Sequence, residues 1–184
     1  MRKLIAGMNM TLDGICDHTA MIADDEIHEH YNQLLLNSDD LIYGRITYQL
    51  MESYWPTVVN SPTGNKPIDD FAIIIDNISK LVFSHTMNGV TWKNSRLATG
   101  SIKDEVTDLK NQPGKDILVG SPSLIVATAN LGLVDEFQIM IQPTIQGKGL
   151  QLFKNIQDRI NLRLIKTKTF ACGAVIFYYE TVRK

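Results

Sequence analysis

The chain has 184 residues, 18 basic against 20 acidic side chains, a net charge of −2 and 44% apolar residues. That length forms one domain, residues 1–184, with a full core. The near-neutral charge gives no support to a nucleic-acid or anionic-membrane partner, so neither is expected, and no window approaches the roughly 20 apolar residues of a membrane span. Cys16 and Cys172 are the only cysteines and have no metal-type spacing, so free thiols in a reducing cytoplasmic compartment are expected.

Lys3 to Met10 reads as a buried opening strand rather than a secretory leader, because Asn9, Thr11 and Asp13 interrupt it. A loop follows, with a turn at Asp13-Gly14. Asp24 is an N-cap with Asp25 and Glu26 behind it. Ile27, Tyr31, Leu34 and Leu35 then share one helical face, and Asn37 to Asp40 ends that helix. Two helix positions apart diverge by about 200°, so His28 and His30 cannot chelate one metal, and no metal site is expected. Leu41 to Tyr43 is a short strand and Arg45 to Ser53 a helix. Trp55 to Pro67 reads as a loop. Phe71 to Ile75 has a strand's composition. However, Pro67 and Asp69-Asp70 make a helix start, and Phe71, Ile74, Ile75 and Ile78 keep helical spacing, so a helix is predicted.

Lys80 to Ser84 is the next strand, with Val90 to Trp92 as a further short one. Trp55 and Trp92 read as packing residues. Ser101 caps a helix carrying Ile102, Val106 and Leu109, with Gly114 just beyond its end. Ile117 to Val119 is a strand. Ser121 and Pro122 start a helix that Gly132 stops. Glu136 to Gln142 alternates as a strand, and Gly147-Lys148-Gly149 is a loop. Ile160 to Phe170 and Ala174 to Thr181 are joined so tightly that they must be antiparallel. Earlier strands alternate with helices, which implies parallel pairs. The fold class is α/β: a mixed, mostly parallel sheet between helices, with a C-terminal antiparallel hairpin.

Two strand-to-helix junctions share one build, Tyr43-Gly44-Arg45-Ile46-Thr47 and Val119-Gly120-Ser121-Pro122-Ser123. Glycine admits a ligand close to the backbone, and a helix start presents free N–H groups and a positive dipole end. Arg45 adds charge and Thr47 a hydroxyl. Two such turns suit the two ends of a dinucleotide diphosphate. Alone, the first turn suits an ordinary strand-to-helix turn equally and the second suits a plain capped helix better, and neither is the Gly-x-Gly-x-x-Gly fingerprint. Ser84-His85-Thr86 ends a strand where open sheets bind ligands. Asp13 is either a substrate-orienting carboxylate or a plain Asp-Gly turn.

In order along the chain, Met10-Thr11-Leu12-Asp13-Gly14, Gly44-Arg45-Ile46-Thr47, Lys80 to Thr86, Gly120-Ser121-Pro122-Ser123-Leu124, Gly132 to Glu136 and Pro143 to Gly149 resemble the dihydrofolate reductase-like superfamily. The resemblance is strongest to the branch of the C-terminal reductase domain of the bifunctional riboflavin deaminase–reductase. It implies a three-layer α/β/α fold and NADPH as hydride donor. It also implies a substrate like that of 5-amino-6-(5-phosphoribosylamino)uracil reductase or dihydrofolate reductase. By that resemblance Gly44, Arg45 and Thr47 meet the cofactor phosphates. Ser84, His85 and Thr86 lie near the adenosine 2′-phosphate, and Gly120, Ser121 and Leu124 near the diphosphate. Asp13 lies by the nicotinamide and substrate.

The sequence departs from relatives at three places: His85 stands for a frequent arginine, Ser121 for a frequent second glycine, and His28 near a helix carboxylate. His28 is the candidate proton donor in that carboxylate's stead. The expected function is an NADPH-dependent reductase of a small pterin-like or pyrimidine-like ring. The alternative is a nucleotide-binding sensor or interaction module on the same fold, with a flavin-binding role third. A homodimer paired through the C-terminal strands is expected.

Overall fold

The computed structural model describes residues 1–182. In chain order the elements are β1 (Leu4–Thr11), α1 (Asp25–Leu36), β2 (Ser38–Gly44), α2 (Arg45–Asn60), α3 (Lys66–Asn77), β3 (Ser79–Phe83) and β4 (Ser95–Leu97). They continue with α4 (Ile102–Asn111), β5 (Asp116–Val119), α5 (Pro122–Asn130), β6 (Glu136–Gln142), β7 (Leu162–Thr169) and β8 (Val175–Thr181). The strands form one eight-stranded sheet in the order β4-β3-β2-β5-β1-β6-β8-β7. Pairs from β4 to β6 are parallel, while β8 runs antiparallel to both β6 and β7. This is the expected mixed sheet with its terminal hairpin.

Strand alternation sends successive side chains to opposite faces. Leu4 and Ala6 of β1 pack with Val106 of α4 and Ile125 of α5. Ile5, between them, packs with Leu34 and Leu35 of α1 and Ile75 of α3. Ile42, Ile117, Val119 and Ile125 are fully buried, each contributing about 1.5–3 kcal/mol against exposure. Helices thus cover both faces. Among the described residues no helix is long and apolar enough to cross a membrane.

The helix chosen at Phe71 to Ile75 is present: Asn65 caps α3, with its side chain accepting from the Ile68 N–H. Asp24 and Ser101 cap α1 and α4 as the sequence implied. Gly132 stops α5 in the left-handed region, at φ 67°. The segment from Trp55 differs from its predicted loop. Helix α2 continues through Pro56 to Asn60. A proline there gives no N–H to the carbonyl four residues back, Glu52. Packing offsets that loss: Trp55 sits 4.4 Å from Phe71 between ring centroids, and Val58 is buried. No strand forms at Val90 to Trp92. The Trp92 backbone N–H instead donates to the Tyr48 hydroxyl at 2.9 Å and its indole to Asp76 at 2.8 Å. The edge strand is β4, three residues later. Strand β2 begins at Ser38, earlier than Leu41, with an irregularity between Ser38 and Asp40.

Candidate active site

Strands β3, β2, β5 and β1 lie side by side and parallel, so their C-terminal ends share one edge of the sheet. Ser84, Gly44, Gly120 and the Thr11-to-Asp13 segment are therefore brought to that edge together. Gly44 and Gly120 end neighbouring strands, and the turns touch: the Gly44 N–H donates to Ser121 Oγ at 2.9 Å. Ser121 is almost fully buried. Its hydroxyl makes no cap bond to its own helix, α5. It joins the start of α5 to the start of α2.

The five α-helix starts fall into two kinds. Those of α1, α3 and α4 have side-chain caps and carboxylates in the first turn. Those of α2 and α5 have neither. The uncapped pair are the two that meet at Gly44 and Ser121. Helix starts of that kind, with neither a side-chain cap bond nor a first-turn carboxylate, are chemically suited to an anion. Neither glycine is demanded by the protein's own packing. A Cβ on Gly44 would stand 3.5 Å from Ser123 Oγ and 3.7 Å from Leu124 Cγ, and one on Gly120 would stand 3.5 Å from Tyr43. Those are ordinary contacts, and Gly44 has φ −83°, open to any residue. The missing side chains leave a cradle that suits a phosphate group.

Around the cradle, Arg45 is exposed, with Nη1 donating to Gln49 at 3.2 Å, and Thr47 is half-buried. Leu124 is buried beneath Gly44. Past the end of β3, Ser84 Oγ accepts from the N–H groups of Thr86 at 3.1 Å and Met87 at 3.0 Å. That turn leaves His85 and Thr86 exposed.

The strand pairing leaves a gap beside the cradle, the crevice of this site. Pairing of β1 with β5 stops at Ala6 and Val119, whereas β1 pairs with β6 as far as Thr11 and Gln142. Residues 7–11 of β1 thus have no strand on the side of Gly120. Asp13 stands at the end of this crevice with its carboxylate already engaged. Oδ1 accepts from the Thr11 hydroxyl at 2.6 Å and the Gln146 N–H at 3.1 Å, and Oδ2 from the Gly147 N–H at 2.7 Å. Those bonds, the Thr11 hydroxyl first, hold its pKa at about 2. An acid so strong is a poor proton donor near neutrality. Its visible work is to clip the end of β1 to the Gln146-Gly147 loop.

His28 lies in the first turns of α1, half-buried and edge-on to Phe71 with ring centroids 6.1 Å apart. Its Nδ1 lies 2.9 Å from the Asp24 carbonyl. A carbonyl only accepts, so Nδ1 carries the proton in the neutral ring and Nε2 the lone pair. The starts of α1 and α3 are tied by Asn65 Nδ2 donating to Asp25 at 2.8 Å. His28 therefore sits where two helix starts approach the edge formed by the strands' C-terminal ends. A surface groove between α1 and α3, lined by Glu29, Asn32, Asp70 and Ile73, belongs to the outer helix layer and not to this edge. Sequence reading missed the loop clip at Gln146 and Gly147, and the use of Ser121 as an acceptor for Gly44. The Gly147-Lys148-Gly149 spacing was the one signal for the first.

The chain belongs to the RibD C-terminal domain family, whose profile matches residues 2–176. It is 34% identical over 187 residues to YyaP, an uncharacterized protein of Bacillus subtilis (strain 168), covering 97% of this chain and 95% of that one. Its fold matches a pyrimidine reductase-like protein from Corynebacterium diphtheriae, with TM-score 0.70, 16% identity and coverage of 100% and 93% of the two chains. It also matches dihydrofolate reductase from Enterococcus faecalis, solved with NADP(H), with TM-score 0.64, 11% identity and coverage of 98% and 97%. The fold is the dihydrofolate reductase-like one that the ordered motifs implied.

Proposed function

We propose that this protein is an NADPH-dependent reductase that delivers hydride to a C=N or C=O bond of a small pterin-like or pyrimidine-like ring. One observation carries the reading: the two helix starts without caps or carboxylates meet through the Gly44–Ser121 hydrogen bond. Family membership and the fold shared with an NADP(H)-bound reductase support it.

In this reading the first-turn amides of α2 and α5, beyond the engaged Gly44 and Gly120 N–H groups, receive the diphosphate over the Leu124 floor. Arg45 and Thr47 add charge and a hydroxyl. Ser84, His85 and Thr86 face the adenosine phosphate end. NADPH, when bound, supplies the hydride, and the protein supplies position and field. The crevice beside residues 7–11 receives the ring pair and keeps water from it. His28, as the imidazolium with both nitrogens protonated, hands the Nε2 proton to the reduced ring, since Nδ1 is held by the Asp24 carbonyl. Asp13 positions the Gln146-Gly147 loop across the crevice end. The same reading includes a homodimer built through the exposed edge strand β7.

The test is NADPH oxidation across a panel of pterins, dihydropterins and pyrimidines, with Arg45→Ala beside the parent. Steady turnover, and weaker NADPH binding by the variant at unchanged melting temperature, is the expected result. NADPH binding without oxidation of any panel member favours the second reading, a nucleotide-binding sensor. What motivates that reading is the resemblance to dihydrofolate reductases, which implies a helix carboxylate near the place of His28. Failure to bind NADPH rules out both.

A further inference from the structure

Asn9 is the one polar side chain of β1 that the protein leaves without a use. Its Oδ1 is enclosed and has no hydrogen-bond partner among the described residues, and its Nδ2 donates to none of them. An enclosed amide oxygen without a donor works against folding. The residue as a whole is only half-buried.

Its position says what the group faces. Strand alternation puts Asn9 on the same face as Ile5 and Gly7. Ile5 packs with Leu34 of α1, and a Cβ on Gly7 would also meet Leu34, at 3.6 Å. Asn9 is two residues further toward the binding edge. Its register partner on β6 is Met140, which is fully buried against Ile27 and Tyr31 of α1. On its other side β5 has already ended, at the level of Ala6. The carboxamide therefore stands on the wall of the crevice, between the start of α1 and the Gly120 turn.

We infer that Asn9 is a positioning residue that pairs its carboxamide with the cis-amide edge of a ligand, an adjacent N–H and C=O. The inference rests on the reductase reading of this site. An asparagine offers one acceptor and two donors in a plane; a turn of the amide about χ2 brings the enclosed Oδ1 out to take the ligand N–H while Nδ2 gives to the ligand C=O. Two ligands of such a reductase carry that edge: the carboxamide of a nicotinamide and the lactam of a pyrimidine or pterin ring. The residue would set which face of the ring meets the hydride. It explains why an otherwise apolar strand keeps an amide at this depth, since a stability optimum would put an aliphatic residue there.

The test compares the parent protein with Asn9→Ala and Asn9→Asp. The ligands are NADPH, its 3-acetylpyridine analogue, whose methyl ketone lacks the amide N–H, and 5,6-diaminouracil in the presence of NADP⁺. Melting temperature is read in parallel. Asn9→Ala is expected to melt at the parent's temperature or above, because the lost group has no protein partner. A loss of about ten-fold or more in NADPH affinity, shrinking with the acetylpyridine analogue, assigns the edge to the coenzyme. Unchanged NADPH affinity with a similar loss for diaminouracil assigns it to the substrate ring. In either arm Asn9→Asp, which keeps shape and loses both donors, binds as poorly as Asn9→Ala. Affinities within about two-fold of the parent for both ligands overturn the inference. So does a parent that ignores diaminouracil while NADPH affinity is unchanged in Asn9→Ala, and so does a marked fall in melting temperature, the mark of a structural role. A parent that does not bind NADPH removes the reductase reading itself. That result is seen before any variant is compared.

Discussion

Replacing Gly44 by alanine separates the site from the fold. The backbone there has φ −83° and ψ 161°, which alanine adopts without strain. The added Cβ meets Ser123 Oγ at 3.5 Å and Leu124 at 3.7 and 3.8 Å, all ordinary contacts. A glycine-to-alanine change at a compatible position gains about 0.4–1 kcal/mol by restricting the unfolded chain. Alanine is a poorer N-cap than glycine by a similar amount, up to about 1 kcal/mol. The two offset each other. In a chain of this size 1 kcal/mol moves the melting temperature by about 2–4 °C, so a shift within about 3 °C is expected. The hydrogen bond from residue 44 to Ser121 uses the backbone N–H and survives. The methyl group, however, stands in the cradle between the two helix starts and holds phosphate oxygens off the amides. NADPH affinity is expected to fall about ten-fold or more, or about 1.4 kcal/mol, by fluorescence titration. Equal affinity in parent and variant would show that Gly44 does not face the ligand. A fall of about 10 °C or more would show that the glycine serves packing instead.

Three further outcomes follow from the geometry. The Asp13 pKa is lower in the folded chain, at about 2, than its ordinary 3.8. The clip is therefore fully present above about pH 4 and is lost as pH falls toward 2. Hydrogen exchange should find the Gly147 amide protected from pH 4 to 7 and freed at all pH in Asp13→Ala; equal exchange in the two proteins would refute the clip. Lys80 is fully buried, and its ammonium donates to the carbonyls of Asp76 at 3.1 Å, Ile78 at 3.0 Å and Lys93 at 3.0 Å. Lys80→Met is expected to cost about 3 kcal/mol, a drop of about 6–12 °C, with NADPH affinity retained because Lys80 starts β3 at the edge away from the glycine turns. An unchanged melting temperature would refute that role. Light scattering at micromolar concentration should give twice the chain mass, and Leu164→Lys on β7 should halve it; a monomeric parent would contradict the β7 interface.

What the sequence made legible was mostly local physics. Asp24 and Ser101 announced their helices because short polar side chains satisfy free N–H groups. The spacing of Phe71, Ile74 and Ile75 outweighed their strand-like composition because the apolar face had to meet α1 and α2. The two glycine turns were legible as a pair, and their adjacency follows from β2 and β5 being neighbours in the sheet. The misses are tertiary. Pro56 reads as a loop residue, and the Trp55–Phe71 contact and the burial of Val58 carry α2 past it. Strand β4, Ser-Arg-Leu, has no alternating pattern and exists because β3 offers it an edge. Nothing in the spacing around Lys80 marks it as buried; carbonyls of Asp76, Ile78 and Lys93 draw it inside. The engaged carboxylate of Asp13 and the idle amide of Asn9 depend on loop closure and on where β5 ends, which no spacing encodes.

The most direct test of the central claim is calorimetric titration of the parent protein with NADPH at low ionic strength. Two converging, uncompensated helix starts should give saturable binding at one site per chain, weakened by added inorganic pyrophosphate, which competes for the same amides. No heat of binding, or binding indifferent to pyrophosphate, would mean that the Gly44–Ser121 edge does not grip a phosphorylated coenzyme.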